Sequence, residues 1–219
     1  MEFSQTLDLK VNARVQRLAV AVEQAVRKYD LRAVRDIVPA LGGLALHFNP
    51  DDYDGNILEA AADIVNLCIK QGLPKEVEGT LVEVPVCYEP QFAPDIEEVS
   101  KRTRLAPAEI IKIHSRAEYR VLMVGFAPGH AYMSGLDESL AVPRRANPRT
   151  EVSAGAVAIA NEQTVIYPYA ISGGWNVIGR TPLVVFDAAR VRPSLFLTGD
   201  RVRLRAIGAQ EFAALSGKR

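Results

Sequence analysis

The sequence predicts an α+β protein: a ferredoxin-like α+β subdomain over residues 1–80, then a β-barrel domain over residues 81–219. Three observations predict it. Two apolar stretches with helical period flank a pair of short β-type runs in the first part. After Leu81 come many short apolar runs separated by Gly and Pro turns, the spacing of a closed or nearly closed barrel. From Gly125 to Asp187, Gly, Pro, Arg and aromatic residues crowd together with neither period, as loops converging on a ligand do.

In chain order, Val11, Val15, Leu18, Val22, Ala25 and Tyr29 recur every three or four positions, an amphipathic helix. Ala33 to Pro39 and Leu44 to Phe48 read as strands joined through Leu41-Gly42-Gly43. A second helix is expected from about Asp54 to Lys70, with Ile57, Leu58, Ala61, Ile64, Val65, Leu67 and Cys68 inward. Leu81 to Val86 returns as a strand. With Met1 to Leu9 as a short first strand, the order becomes βαββαβ, the split βαβ pattern. Asp95 is expected to cap a helix through Ile96, Val99 and Arg102, and Pro107 to open another through His114. Strands are then expected at Tyr119–Phe126, Val157–Ala160, Thr164–Tyr167, Asn176–Gly179, Leu183–Phe186 and Val202–Ile207, and a terminal helix at Gln210–Leu215.

Lys+Arg and Asp+Glu both number 26 in the 219 residues, which argues against a general nucleic-acid or anionic-membrane binder. No apolar run approaches the roughly 20 residues that cross a bilayer. The N-terminus MEFSQTLDLK lacks the basic-then-apolar pattern of a signal peptide. Cys68 and Cys87 sit in apolar contexts as expected buried thiols, and the histidines and cysteines show no zinc spacing. A cytoplasmic, metal-free protein is expected.

Three elements can carry chemistry. Pro143-Arg144-Arg145-Ala146-Asn147-Pro148-Arg149 holds three guanidinium groups on a backbone stiffened by proline. They suit a carboxylate or phosphate, or form a basic loop with internal salt bridges. Gly125 to Tyr132 follows a strong strand. Gly125 and Gly129 permit close backbone approach, and His130 suits proton transfer or simple hydrogen bonding. Gln163, Tyr167, Gly173, Gly174, Trp175, Arg180 and Thr181 form the third. Gln163 matches an amide ligand. Trp175 is the wall of a site or barrel packing, and Arg180-Thr181 a carboxylate clamp or a bridge between loops. No GxxxxGK[ST], GxSxG or HExxH pattern occurs, so ATP chemistry would need residues on another chain.

These residues resemble the KipI/PxpB family, also called allophanate hydrolase subunit 1, and are similar to part of the carboxyltransferase region of urea carboxylase. The match rests on Gly125-Phe126, Pro128-Gly129, Tyr132, Gly135-Leu136-Asp137, Pro143-Arg144-Arg145, Pro148-Arg149, Ala154-Gly155, Gln163-Thr164, Ile166-Tyr167-Pro168, Gly173-Gly174-Trp175 and Ile178-Gly179-Arg180-Thr181-Pro182. The chain departs from the family pattern at His130, Ser153, Ala156 and Ile171. The resemblance implies a cyclophilin-like barrel and a component of an ATP-dependent 5-oxoprolinase, which opens the lactam of 5-oxoproline to glutamate. It also implies a KipA/PxpC-like partner and a PxpA-like third protein. ATP and Mg2+ would be bound with the partner, and this chain has no biotin-carrier segment. Arg145 would stabilise charge, with Gln163 orienting the amide. Arg144, Arg149, Tyr132, Tyr167, Trp175, Arg180 and Thr181 would bind substrate. The alternatives are a KipI-like inhibitor of a histidine kinase, or an allophanate/urea carboxylase-type component.

Overall fold

The computed structural model describes residues 1–4, 7–75 and 79–217, which divide into a unit of Met1–Val77 and a unit of Glu78–Arg219. In the first unit, α1 (Leu9–Lys28) starts where the Asp8 carboxylate accepts from the N–H groups of Lys10 and Val11, and it buries Val15, Leu18, Val22 and Ala25. Strands β1 (Val34–Pro39) and β2 (Leu44–Phe48) form an antiparallel hairpin, with Glu2 bridged to Gly43 beside it. Helix α2 (Ile57–Gln71), capped by Asn56, packs Val65 and Cys68 against α1.

Of the α2 residues expected inward, Ile64, Val65 and Cys68 do face the core, whereas Leu58 and Leu67 are exposed. The strand expected to complete the split βαβ, β3 (Leu81–Cys87), belongs to the second unit, where it joins the barrel.

The second unit is a closed barrel of seven strands. After β3 come α3 (Ile96–Thr103), α4 (Pro107–Arg116), β4 (Glu118–Val124), β5 (Ala131–Ser134) and β6 (Arg149–Val152). Then follow β7 (Ala156–Ala160), β8 (Gln163–Ile166), β9 (Ile171–Gly173), β10 (Asn176–Arg180), β11 (Arg201–Ile207) and α5 (Ala209–Ser216). The barrel order is β10-β3-β11-β4-β5-β8-β7; β3 and β11 run parallel and the remaining pairs antiparallel. Strands β6 and β9 form a separate ribbon. Leu183–Phe186, expected as a strand, contributes only a bridge between Phe186 and Ser194; Pro182 ends β10 by removing a ladder donor.

Side-chain alternation divides the apolar residues between two faces. Val157, Ile159 and Ile166 enter the barrel interior with Val84, Val121 and Met133. Ala156, Ala158 and Ala160 of the same strand point the other way, into a second cluster with Val165, Tyr167, Trp175 and Val177. Three alanines in a row leave a shallow outer face. Val152 and Ile171 of the β6–β9 ribbon, together with Trp175, cover part of it.

The interior also holds one polar device. His114 is fully buried, its Nδ1 2.8 Å from the Tyr88 hydroxyl and its Nε2 3.1 Å from the Thr164 hydroxyl. Its roles are those of a satisfied core residue. No helix of the described residues is long and apolar enough to cross a membrane.

Candidate functional site

The alanine-floored outer face is where most of the expected site residues meet. Gly125 and His130 close the β4–β5 loop: the Gly125 N–H donates to the His130 carbonyl at 3.0 Å, and the His130 N–H to Ala127 at 3.0 Å. Gly129 has φ +80°, and a Cβ there would lie 2.7 Å from Phe186 Cβ, so glycine is required. Phe126 is held at φ +70° with 71% of its surface exposed, which is uncommon for a bulky residue.

This turn drives His130 inward to 1% exposure among three rings: Tyr132 at 4.8 Å, Tyr167 at 5.1 Å and Phe126 at 5.6 Å between centroids. Tyr132 in turn lies 6.0 Å from Trp175. Burial lowers the His130 pKa to about 4, so the ring is neutral at pH 7, and its buried Nδ1 has no hydrogen-bond partner among the described residues. Burial also raises Tyr167 to about 12 and shifts Tyr132 upward, keeping both phenols protonated. Gly173 makes room for Tyr167: a Cβ there would sit 2.1 Å from the phenol oxygen.

The arginine loop is organised by Asp95, 3% exposed at its side chain. Arg145 Nη1 donates to Asp95 Oδ1 at 2.5 Å, while Arg149 donates from both Nη atoms, at 2.7 and 2.8 Å. The Val177 N–H adds a fourth bond to the carboxylate at 2.7 Å. Asp95, expected to cap α3, makes no side-chain cap bond there. Arg145 and Arg149, expected to reach a ligand, are both held by this one buried carboxylate instead. Two guanidinium groups thus share one carboxylate, which ties the loop to the start of α3. No local signal in the sequence identifies this, because the partners are 50 and 54 residues from Asp95.

Arg144 is left over. On one side of it the Pro143 carbonyl accepts from Asn176 Nδ2 at 2.9 Å; on the other the Arg145 N–H donates to Gly174 at 2.7 Å. Between those anchors the exposed Arg144 places Cζ 5.3 Å from the Trp175 ring, a cation–π contact, and no described carboxylate pairs with it. The Trp175 ring, 5% exposed, is at once packing and wall. The exposed Arg144 guanidinium, seated on the indole beside the half-buried Tyr132, can meet one carboxylate.

Gln163 begins β8 opposite Ala160, four positions before Tyr167 and thus about 13 Å along the strand. Its buried amide nitrogen has no partner among the described residues. Gln163 therefore lies at the far end of the same face, away from His130. Arg180 and Thr181 are not part of this ring cluster. They line a separate cavity with Gly155, Pro182 and Phe212.

The two buried histidines predict how stability depends on pH. Burial lowers His114 to about 3 and His130 to about 4, below the ordinary 6.5. As the pH falls below about 6.5 the unfolded chain takes up protons that the folded chain refuses. The stabilisation is complete above that value and is lost on acidification toward 4. The urea midpoint should fall between pH 7 and 5, and His130→Phe should make the fall shallower. A midpoint flat over that range would contradict the buried, neutral rings.

Residues 1–196 match the family described as carboxyltransferase domain, subdomain C and D. The chain is 32% identical over 213 residues to a Bacillus subtilis protein named as a 5-oxoprolinase subunit, covering 94% of this chain and 89% of that one. Among solved structures, TTHA0988 superposes with a TM-score of 0.78 at 32% identity, over 95% of this chain; the match spans 39% of that longer chain. Kluyveromyces lactis urea carboxylase superposes with a TM-score of 0.74 over 96% of this chain and 21% of that one; at 16% identity the likeness is one of fold.

Proposed function

The chain belongs to the carboxyltransferase-domain family of subdomains C and D, and on that premise we propose that it is the lactam-binding component of an ATP-dependent 5-oxoprolinase. Its similarity along nearly its whole length to a protein named as a component of that enzyme supports the reading. The observation that carries it to a site is Arg144, held unpaired over Trp175 and next to the ring cluster around the unpartnered His130 Nδ1.

5-Oxoproline is a five-membered lactam with one carboxylate. In this reading its ring lies against Tyr132 and Trp175, and its carboxylate meets the Arg144 guanidinium. The neutral His130 ring, buried beneath Tyr132 and Tyr167, supports this platform from below. Gln163 is too far along β8 to touch the same ring and serves the rim of the face.

A nucleotide triphosphate does not fit here. It needs several free cations on a phosphate-cradling loop; this chain has no GxxxxGK[ST] segment, and Arg145 and Arg149 are already bonded to Asp95 through their Nη groups. ATP and Mg2+ are therefore assigned to a KipA/PxpC-like partner chain, with a PxpA-like protein completing the assembly. This chain's contribution is to bind and orient the lactam.

The test is reconstitution: this chain, the KipA/PxpC-like partner and the PxpA-like protein are mixed, and glutamate is followed as 5-oxoproline and ATP are supplied. Glutamate is expected only with all components present. Formation at the same rate without this chain would refute the proposal. No glutamate, with inhibition of a histidine kinase's autophosphorylation instead, would replace it with the regulatory reading.

A further inference from the structure

Arg180 ends β10 with its Nε donating to the Ala154 carbonyl at 2.8 Å, which fixes the plane of the guanidinium. Its Nη groups have no partner among the described residues, and the residue lines a cavity of about 330 Å3. We propose that this cavity binds a small monocarboxylate with an apolar body, at a site separate from the aromatic cluster.

The chemistry of the lining selects that class. The walls are Pro168, Pro182, Leu183, Val184 and Phe212. Polar groups between them are already engaged. The Thr181 N–H donates to Gly155 at 2.9 Å, the Leu183 N–H to the Thr181 hydroxyl at 3.3 Å, and the Ser216 hydroxyl to Phe212 at 2.9 Å. Gly155, at φ +76°, lets the floor close, since a Cβ there would lie 2.4 Å from the Thr181 carbonyl. Among the described residues of the lining, one guanidinium edge is thus the charged donor left without a partner. It fits one carboxylate bidentately and leaves the remaining walls to hydrocarbon.

A phosphate is disfavoured. Arg180 also borders a smaller cavity of about 140 Å3, whose other charged residues are Arg149, ion-paired to Asp95, and Glu151. A second negative charge would meet Glu151 with no further free cation among the described lining residues. The volume suits a ligand near the lower end of small-molecule sites.

The outer wall is attached by few contacts. Helix α5 buries none of its residues. It is held by the Glu89 carboxylate accepting from the Ala209 N–H at 2.7 Å, by Glu211 on Arg205 at 2.8 Å, and by Phe212 against Phe92 with centroids 4.4 Å apart. A ligand beneath Phe212 would be clasped by this helix.

The experiment is calorimetric titration of the full chain with hexanoate, hexanamide and inorganic phosphate, paired with amide hydrogen exchange over α5. Hexanoate should bind saturably, and the other two about tenfold more weakly or not at all. Exchange in α5 should slow with hexanoate. Arg180→Gln should weaken hexanoate about tenfold or more. Leu183→Trp, which fills the cavity from its wall and leaves Arg180 untouched, should abolish binding. Equal binding of hexanamide, preference for phosphate, no saturable hexanoate binding, or hexanoate affinity unchanged in Leu183→Trp would each overturn the proposal.

Discussion

Replacing Asp95 with Ala should destabilise the barrel unit by about 3–5 kcal/mol, the usual consequence of removing one member of a buried ion cluster. Its carboxylate receives four hydrogen bonds, three from Arg145 and Arg149 and one from the Val177 N–H. Without it, two partly buried guanidinium groups and one strand N–H lose their acceptor. Asp95→Asn keeps the shape but removes the charge, and should lie between wild type and Asp95→Ala. Urea unfolding measures the loss. Limited proteolysis checks where it falls: cleavage between Pro143 and Arg149 should quicken well before the rest of the barrel is cut. An Asp95→Ala midpoint within error of wild type would show that the arginine loop is held by other means.

The second large effect is functional. Arg144→Gln should leave the urea midpoint unchanged, because the side chain is exposed and its described contact is with the face of Trp175. In the reconstituted assembly it should lower kcat/KM for 5-oxoproline by about 10–100-fold, the loss of one charge-assisted contact. Arg145→Ala behaves differently. It removes an Asp95 partner, so its activity loss should be accompanied by a lower midpoint. The contrast between neighbours separates the residue that meets the ligand from the residue that holds the loop. If Arg144→Gln turned over normally while Arg145→Ala lost turnover at full stability, the assignments would be reversed.

Much of the fold is legible in the sequence, and the reasons for the gaps are physical. Helices α1 and α2 and the β1–β2 hairpin announce themselves through period and turn residues, because their decisive interactions are local. The barrel follows from the number and spacing of short apolar runs. Strands β5, β6 and β9 span three or four residues, too short for a period to register. The exposure of Leu58 is not encoded in the pattern of α2, where apolar residues outnumber the positions facing the core.

The site divides in the same way. The segment rich in Gly, Arg and aromatics does bring His130, Tyr132, Tyr167, Arg144 and Trp175 together. Which arginine is free is not legible. That depends on Asp95, whose local context reads as a helix cap and whose partners lie on a distant loop. The separation of Arg180-Thr181 from the ring cluster likewise depends on Gly155 and α5, which no sequence window contains.

Trp175 is the only tryptophan of the chain, so replacing it with 5-fluorotryptophan in this chain alone places a single 19F reporter under Arg144. The central claim is that the lactam binds on this outer face. In the reconstituted assembly, 5-oxoproline should move that resonance saturably, with the concentration dependence of glutamate formation, and Arg144→Gln should shift the midpoint to higher concentration. A resonance that stays still while glutamate forms would place the substrate elsewhere and contradict the account.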